Sequence, residues 1–312
     1  MRKNDLLSNA MLAQRLKLSP IHLGMLLATF GTALFSLKSI FIKLAYLEGL
    51  NTDSVLVLRM AISLPIYLGI LIWLIRRQAH TDVRLNQFPM ILLLGFLGYF
   101  LSSWLDLKGL ETITAQLERL TLFTYPILVA LLGTLFFKTP ITAKIGWSLL
   151  ITYGGLWVVF YQELQLIGDG TVFGTLMVFL AALSFSVYVL LGKRVIHQVG
   201  SLMFTSLAMS SSSIITLIYF NTWVGFGGLE VTQMAWLWLF LLAIFSTVIP
   251  SFMIAEAIAL IGPTQTGIVG TLGPIFTILL AVWWLNEPFG LAHLIGLALV
   301  VSGVLLLTFK RA

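Results

Sequence analysis

Apolar runs long enough to cross a bilayer recur along this chain, separated by short polar breaks, and the pattern resolves into ten spans. A hydrocarbon core about 30 Å thick takes roughly 20 apolar residues per helical crossing. The spans fall at approximately 21–47, 53–75, 88–109, 112–137, 141–161, 170–193, 201–222, 233–260, 264–285 and 289–309, with ends placed to within about four residues. Ten crossings consume most of the 312 residues and leave short loops. The pattern predicts an all-α membrane protein with no room for a soluble catalytic domain.

The spans divide into two five-helix halves that repeat the same landmarks. Gly24, Phe35-Ser36 and Lys43 are spaced as Gly174, Phe185-Ser186 and Lys193, and Pro126-Ile127, Pro140 and Gly155 are spaced as Pro274-Ile275, Pro288 and Gly303. Matching Pro and Gly carry the weight, because they set backbone shape rather than hydrophobicity. Five is odd, so the second half enters the bilayer in the opposite sense. Ten transmembrane helices built as two inverted repeats are a construction of secondary transporters, with a substrate site near the midplane between the halves. The expected divisions are a cytoplasmic N-terminal tail over 1–19, a first repeat over 20–165 and a second over 166–312.

Composition sharpens this. The chain is 59% hydrophobic and 10% charged, with a mean hydropathy of +1.02, outside the range of soluble domains. A net charge of +6 would suggest nucleic acid in a soluble protein, but here the basic residues sit in loops and read as topology. With both termini cytoplasmic, Arg2, Lys3, Arg15, Lys17, Arg76, Arg77, Arg84, Lys138, Lys144, Lys193, Arg194, Lys310 and Arg311 all fall inside and only Lys108 outside, as the positive-inside rule requires. Trp73, Trp147, Trp223, Trp236, Trp283 and Trp284 lie near span ends as interfacial anchors. The absence of cysteine excludes thiol catalysis, disulfides and thiolate metal sites.

Several motifs resemble one family. Gly109-Leu110 through Ala115, Leu117-Glu118-Arg119-Leu120 and Tyr125-Pro126-Ile127 carry the likeness in the first half. Ala257 to Pro263, Gly273-Pro274-Ile275 and Leu285-Asn286-Glu287-Pro288 carry it in the second. The chain is similar in these to the EamA-domain transporters of the drug/metabolite transporter superfamily. The resemblance implies a bacterial inner-membrane carrier of two domains that exports small metabolites, amino acids and related compounds among them. The family often has a Glu after the fourth helix of each copy. Glu287 matches, whereas the first copy reads Phe137-Lys138-Thr139-Pro140, a departure expected to remove a helix-capping contact.

Charge inside a span costs about 2.5–3.5 kcal/mol at the helix centre, so each such residue needs a partner, a cavity or a route to the headgroups. Lys38, Lys43, Arg59, Asp106, Lys108, Glu118 and Arg119 all fall in the outer part of first-half spans. Lys43, Arg59 and Lys108 are shallow enough to snorkel or form structural pairs. Lys38 and Glu118 lie at matching depth and meet if spans 1 and 4 are neighbours. Glu118 and Arg119 are about 100° apart on a helix and are expected to face different partners. Five basic residues against two acidic ones point to an anionic or carboxylate-bearing solute. Thr29, Thr32, Ser36, Ser39 and Lys43 make one polar stripe on span 1; Thr114, Glu118, Thr121 and Tyr125 share a face of span 4, and Tyr99, Ser103 and Asp106 a face of span 3.

The candidate substrate or coupling residues are thus Ser36, Lys38, Ser39, Lys43, Asp106, Glu118, Arg119, Tyr125 and Glu256, the last as a lone second-half acid suited to proton coupling. Pro126 and Pro274 are equivalent hinges. Gly154-Gly155, Gly296 and Gly303 allow close helix contact within the chain or in a dimer. The expected protein is an exporter of a small polar or amphipathic metabolite, monomeric or homodimeric, working by alternating access. A proton, a counter-substrate or the solute gradient drives it, and it takes no cofactor, metal or nucleic acid. The competing reading is a non-transporting membrane scaffold or sensor. An intramembrane enzyme is disfavoured because no HExxH, GxSxG or paired intramembrane Asp pattern occurs.

Overall fold

A computed structural model describes residues 19–77, 87–137, 142–227 and 229–308, which are nearly all helical. Among them, nine helices are long and apolar enough to cross a membrane. They are α1 (Pro20–Leu47), α2 (Thr52–Arg76), α3 (Phe88–Leu110), α4 (Ala115–Phe136), α5 (Ala143–Ile167), α6 (Gly170–Gly192), α7 (Ser201–Val224), α8 (Gln233–Ile258) and α9 (Gln265–Trp284). A tenth apolar helix, α10, is shorter over Leu291–Leu306. Of the basic residues that set the expected orientation, Arg2, Lys3, Arg15, Lys17, Arg84, Lys138, Lys310 and Arg311 lie outside the described residues, as does almost all of the N-terminal tail.

Helix starts are written in short polar side chains. Asn51 Oδ1 accepts from Ser54 N at 2.9 Å, Thr114 Oγ1 from Leu117 N at 3.1 Å and Thr232 Oγ1 from Ala235 N at 3.0 Å. Each satisfies one of the N–H groups a helix leaves unpaired at its start. Gly168 and Gly200, at φ 89° and 86°, turn the chain out of α5 and into α7, a backbone region that only glycine enters at little cost.

The two halves of the chain interlock. α1 packs on α8 and α9, and α6 packs on α3 and α4, so the first helix of each half lies against the third and fourth helices of the other. α2 pairs with α7, and α5 with α10. The same contacts recur at equivalent positions. Ser36 Oγ donates to Gly273 O at 3.1 Å, and Ser186 Oγ donates to Tyr125 O at 3.1 Å.

Helices break at equivalent places too. In α4 the first helical run ends at Leu122 and a second begins at Tyr125; in α9 the runs end at Gly270 and resume at Leu272. Leu122 and Gly270 each stand four residues before a proline, Pro126 and Pro274. There the missing N–H and the ring's clash with the i−4 carbonyl disrupt the ladder. Matching π-helical segments, Phe96–Leu101 in α3 and Ile244–Val248 in α8, add a residue to the turn. Each therefore rotates the remainder of its helix away from the faces of a regular α-helix.

Gly155 on α5 and Gly296 and Gly303 on α10 make the close contact between these helices within the chain, whereas Gly154 is exposed with nothing near it. A Cβ on Gly155 would meet Gly296 O at 2.9 Å, and one on Gly303 would meet Ser148 O at 3.0 Å. Ser148 Oγ donates to Gly303 O at 2.5 Å. These residues are spent on packing one chain. Large apolar side chains such as Phe30, Leu150, Trp157 and Leu279 are exposed on the bundle's outside, as lipid-facing positions are.

Candidate functional site

A buried charge network forms where α1, α3 and α4 meet. Lys38 on α1 pairs with Asp106 Oδ2 on α3. Ser39 Oγ donates to Glu118 Oε2 at 2.6 Å and accepts from Arg119 Nη2 at 3.2 Å. Arg119 Nη2 also reaches Phe35 O at 3.2 Å. Asp106 and Glu118, 1% and 0% exposed, stand within hydrogen-bond reach of one another. Asp106 Oδ1 and Glu118 Oε1 are buried without a hydrogen-bond partner.

Two further carboxylates close the end of this network. Thr114 Oγ1 donates to Glu163 Oε1, and Thr114 N to Glu163 Oε2 at 3.3 Å. Glu287, between α9 and α10, accepts from Ala115 N at 2.7 Å and Gln116 N at 3.2 Å. Thus α4 begins against two carboxylates, one from α5 and one from the loop between α9 and α10, which the partial positive charge of a helix N-terminus favours. Burial pushes the Glu287 carboxyl above the ordinary range, opposed by the Ala115 N–H, the charge of Lys43 and the Gln116 N–H. Lys43, half-buried, faces Glu287, Glu163 and Glu118. Glu287 therefore performs the capping expected of the family's glutamate, on the opposite half of the chain. Its first-half counterpart, Thr139, lies outside the described residues.

These partners revise the sequence reading in several places. Lys38 pairs with Asp106 rather than Glu118. Glu118 and Arg119 do share a partner, because the Ser39 hydroxyl donates to one and accepts from the other. The expected excess of positive charge disappears. Lys38, Lys43, Arg59, Lys108 and Arg119 lie in electrostatic reach of Asp106, Glu111, Glu118, Glu163 and Glu287, three of which, Glu111, Glu163 and Glu287, stand at span ends. Lys108 is peripheral. It pairs with Glu111 Oε2 at 2.6 Å, and Glu111 Oε1 accepts from Thr52 Oγ1 at 2.6 Å.

The remaining candidates fall elsewhere. The break in α4 separates Tyr125 from Glu118, and its ring lies 5.2 Å from Phe185 in an aromatic group on α6. The π segment in α3 likewise turns Tyr99 away from Asp106, and Tyr99 bonds Tyr188 at 2.9 Å between hydroxyls. Ser36 fastens α1 to α9, and Thr29 bonds back to Met25 O, so only Ser39 and Lys43 of the α1 stripe join the network. Glu256 is half-buried near the end of α8. Gly31 lies beside Ile254 and Gly24 beside Ile261, which puts Glu256 about ten residues, or ~15 Å, along α1 from Lys38. Arg59 on α2, 2% exposed, is in electrostatic reach of Asp106 and belongs with the network rather than at the headgroups. Among the described residues, no group of three or more His, Cys, Asp or Glu is arranged to hold a metal.

Apolar helices enclosing a buried set of charges mark a multi-pass membrane protein whose interior handles polar solutes. The chain belongs to the EamA-like transporter family, whose model matches residues 22–161 and 172–309. It is 28% identical over 284 residues to "Uncharacterized transporter YcbK" of Bacillus subtilis (strain 168), covering 88% of each chain. It is also 28% identical over 264 residues to "Uncharacterized transporter YdfC" of the same organism, covering 83% of each. One solved crystal structure superposes at a TM-score of 0.64 over 91% of this chain and 96% of that one, at 15% identity, a likeness of fold. The protein is a membrane transporter with two EamA repeats.

Proposed function

We propose that this transporter exports a small polar or amphipathic metabolite, such as an amino acid or related compound, by alternating access. In this reading 20–165 and 166–312 are two inverted five-helix repeats after a cytoplasmic tail, ten helices cross the inner membrane, and both termini are cytoplasmic. The observation that carries it is the pair of equivalent bonds, Ser36 to Gly273 and Ser186 to Tyr125, each made just past the break in the opposite half's fourth helix. A framework fastened the same way twice has two equivalent arrangements to exchange, with Pro126 and Pro274 at the hinges. Lys38, Ser39, Lys43, Asp106, Glu118 and Arg119 form the substrate and coupling site. The adjoining carboxyls of Asp106 and Glu118 offer a place for a coupling proton, a better one than Glu256 on α8, which stands level with a part of α1 far from Lys38.

Uptake into inside-out membrane vesicles tests this, using pooled radiolabelled amino acids and small organic acids with and without an imposed pH gradient. Saturable, gradient-dependent uptake is expected with the wild type. It is lost in Glu118→Gln and Arg119→Gln while both variants insert normally. Wild-type flux by both variants removes the network from the mechanism.

A further inference from the structure

The Arg59 guanidinium is the fully buried cation of the network that lacks a bonded partner. Among the described residues it makes no hydrogen bond and no ion pair, and both Nε and Nη2 are buried without an acceptor. Those two nitrogens form one edge of the guanidinium, the fork that takes a carboxylate through two parallel N–H···O bonds. Lys38, by contrast, is matched to Asp106, Arg119 to Ser39 and Phe35 O, and Lys108 to Glu111. Ser63 Oγ bonds only the Arg59 carbonyl. A buried guanidinium left with its whole fork unsatisfied is costly, and a protein keeps it where an anion arrives to complete it.

We infer that Arg59 is the carboxylate subsite of the transport pathway, so that the transported solute carries a carboxylate seated on Nε and Nη2. This rests on the transporter reading, because the fork is closed over in this conformation and only a rearrangement of the helices admits a solute. A recess of 370 Å³ lined by Leu50, Asn51, Ser54 and Phe220, among others, opens beside the start of α2. It ends five residues, about 7.5 Å of helix, from Arg59. With Arg59 counted, the five cations of the network match its five carboxylates, so the carboxylate enters with a positive partner, its own ammonium or a proton. The free oxygens of Asp106 and Glu118 are placed to receive either.

Thermal stability of the full-length protein in detergent tests the subsite with three matched probe pairs: succinate with succinamide, L-leucine with L-leucinamide, and benzoate with benzamide. At least one acid is expected to raise the melting temperature of the wild type where its amide does not. Arg59→Met should weaken that acid at least tenfold, and Arg59→Lys should keep part of the effect. Without probe, Arg59→Met should melt no lower than wild type, since it removes an unsatisfied charge. A fall of several degrees identifies Arg59 as a structural counter-charge to Asp106 and overturns the subsite. So do amides acting as well as acids, or no acid acting at all. Flux of a neutral solute unaltered in Arg59→Met keeps the transporter and loses the subsite. Acid-dependent stabilisation without any flux keeps the subsite and loses the transporter.

Discussion

The two halves of the molecule share a framework and divide the chemistry unequally. Ser36 and Ser186, the breaks before Pro126 and Pro274, and the π segments of α3 and α8 sit at matching places. The side chains around them do not match. Where α1 carries Lys38 and Ser39, α6 carries Tyr188 and Val189. Where α4 carries Glu118-Arg119, α9 carries Thr266-Gly267. The ion pair and shared serine of one region are answered in the other by two tyrosine hydroxyls and stacked rings. Backbone-directed contacts preserve the shape twice, whereas the charges that would recognise a solute are needed once. The solute pathway is accordingly expected to lie toward α1, α3 and α4.

The sharpest way to break this comparison is to cut the equivalent residues Lys38 and Tyr188. Lys38→Met strands Asp106 as a buried, unpaired carboxylate, and removing one member of a buried pair costs about 3–5 kcal/mol. Tyr188→Phe loses one hydrogen bond to Tyr99 and is expected to cost about 1 kcal/mol. Melting in detergent should rank them in that order, and flux should vanish only in Lys38→Met. Adding Asp106→Leu to Lys38→Met should restore much of the melting temperature without restoring flux. Equal costs at the two positions would mean that the charged region is no more demanding than the aromatic one.

A second contrast lies in how tightly the crossings are made. Gly174 on α6 packs on the end of α3 and the turn after it, where a Cβ would meet Thr112 Oγ1 and stand 2.5 Å from Ile113 Cγ2 and 2.8 Å from the backbone oxygen of Gly109. At the equivalent Gly24 the nearest atoms are side-chain carbons of Leu260 and Ile261. Gly174→Ala is expected to destabilise by about 1–3 kcal/mol, as overpacking does. Gly24→Ala should cost less, because an isoleucine rotamer yields more readily than a carbonyl. Thermal melting of the two variants decides it, and the reverse order would place the rigid crossing between α1 and the segment that follows α8.

Much of the framework was legible because it is written in residues that act locally. Hydrophobic runs gave the helices and Pro126 and Pro274 gave their breaks, whereas Thr114, placed on a polar face inside span 4, proved to be the cap that starts α4. The site was legible by residue type and only partly by partner. Lys38 and Glu118 share a depth, yet depth does not say which neighbour a side chain meets, and Asp106 stands nearer. The π segment in α3 and the break in α4 turned Tyr99 and Tyr125 away from the faces that a regular helix would have given them. Neither irregularity has a signature in hydropathy. Glu163 and Glu287 were hidden by position, since a carboxylate at a span end reads as a loop residue until another helix brings its N-terminus to it. Arg59 looked shallow by count and proved 2% exposed because α2 is covered on that face.

The smallest effect expected concerns pH, and it compares the two carboxyls outside the spans at this end of the molecule. Burial pushes Glu287 above the ordinary carboxyl range, against the Ala115 and Gln116 N–H groups and Lys43. Burial also pushes Glu111 upward, but hydrogen bonds from Lys108 and Thr52 outweigh it and hold Glu111 below that range. The signs then oppose each other. A raised acid binds its proton more tightly when folded, so the contribution of Glu287 is full below the unfolded value, about 4.3, and is lost as pH climbs through its folded value. A lowered acid does the reverse, so the contribution of Glu111 is full above that unfolded value and is lost as pH falls through its folded one. Melting temperatures in detergent over about pH 3–7 should therefore flatten at the acidic end in Glu111→Gln and at the higher-pH end in Glu287→Gln. If Glu287→Gln flattens the acidic end instead, its carboxylate is stabilised by the α4 N-terminus more than burial penalises it. The cap would then be a fixed charge in the network rather than a group that burial keeps near neutrality.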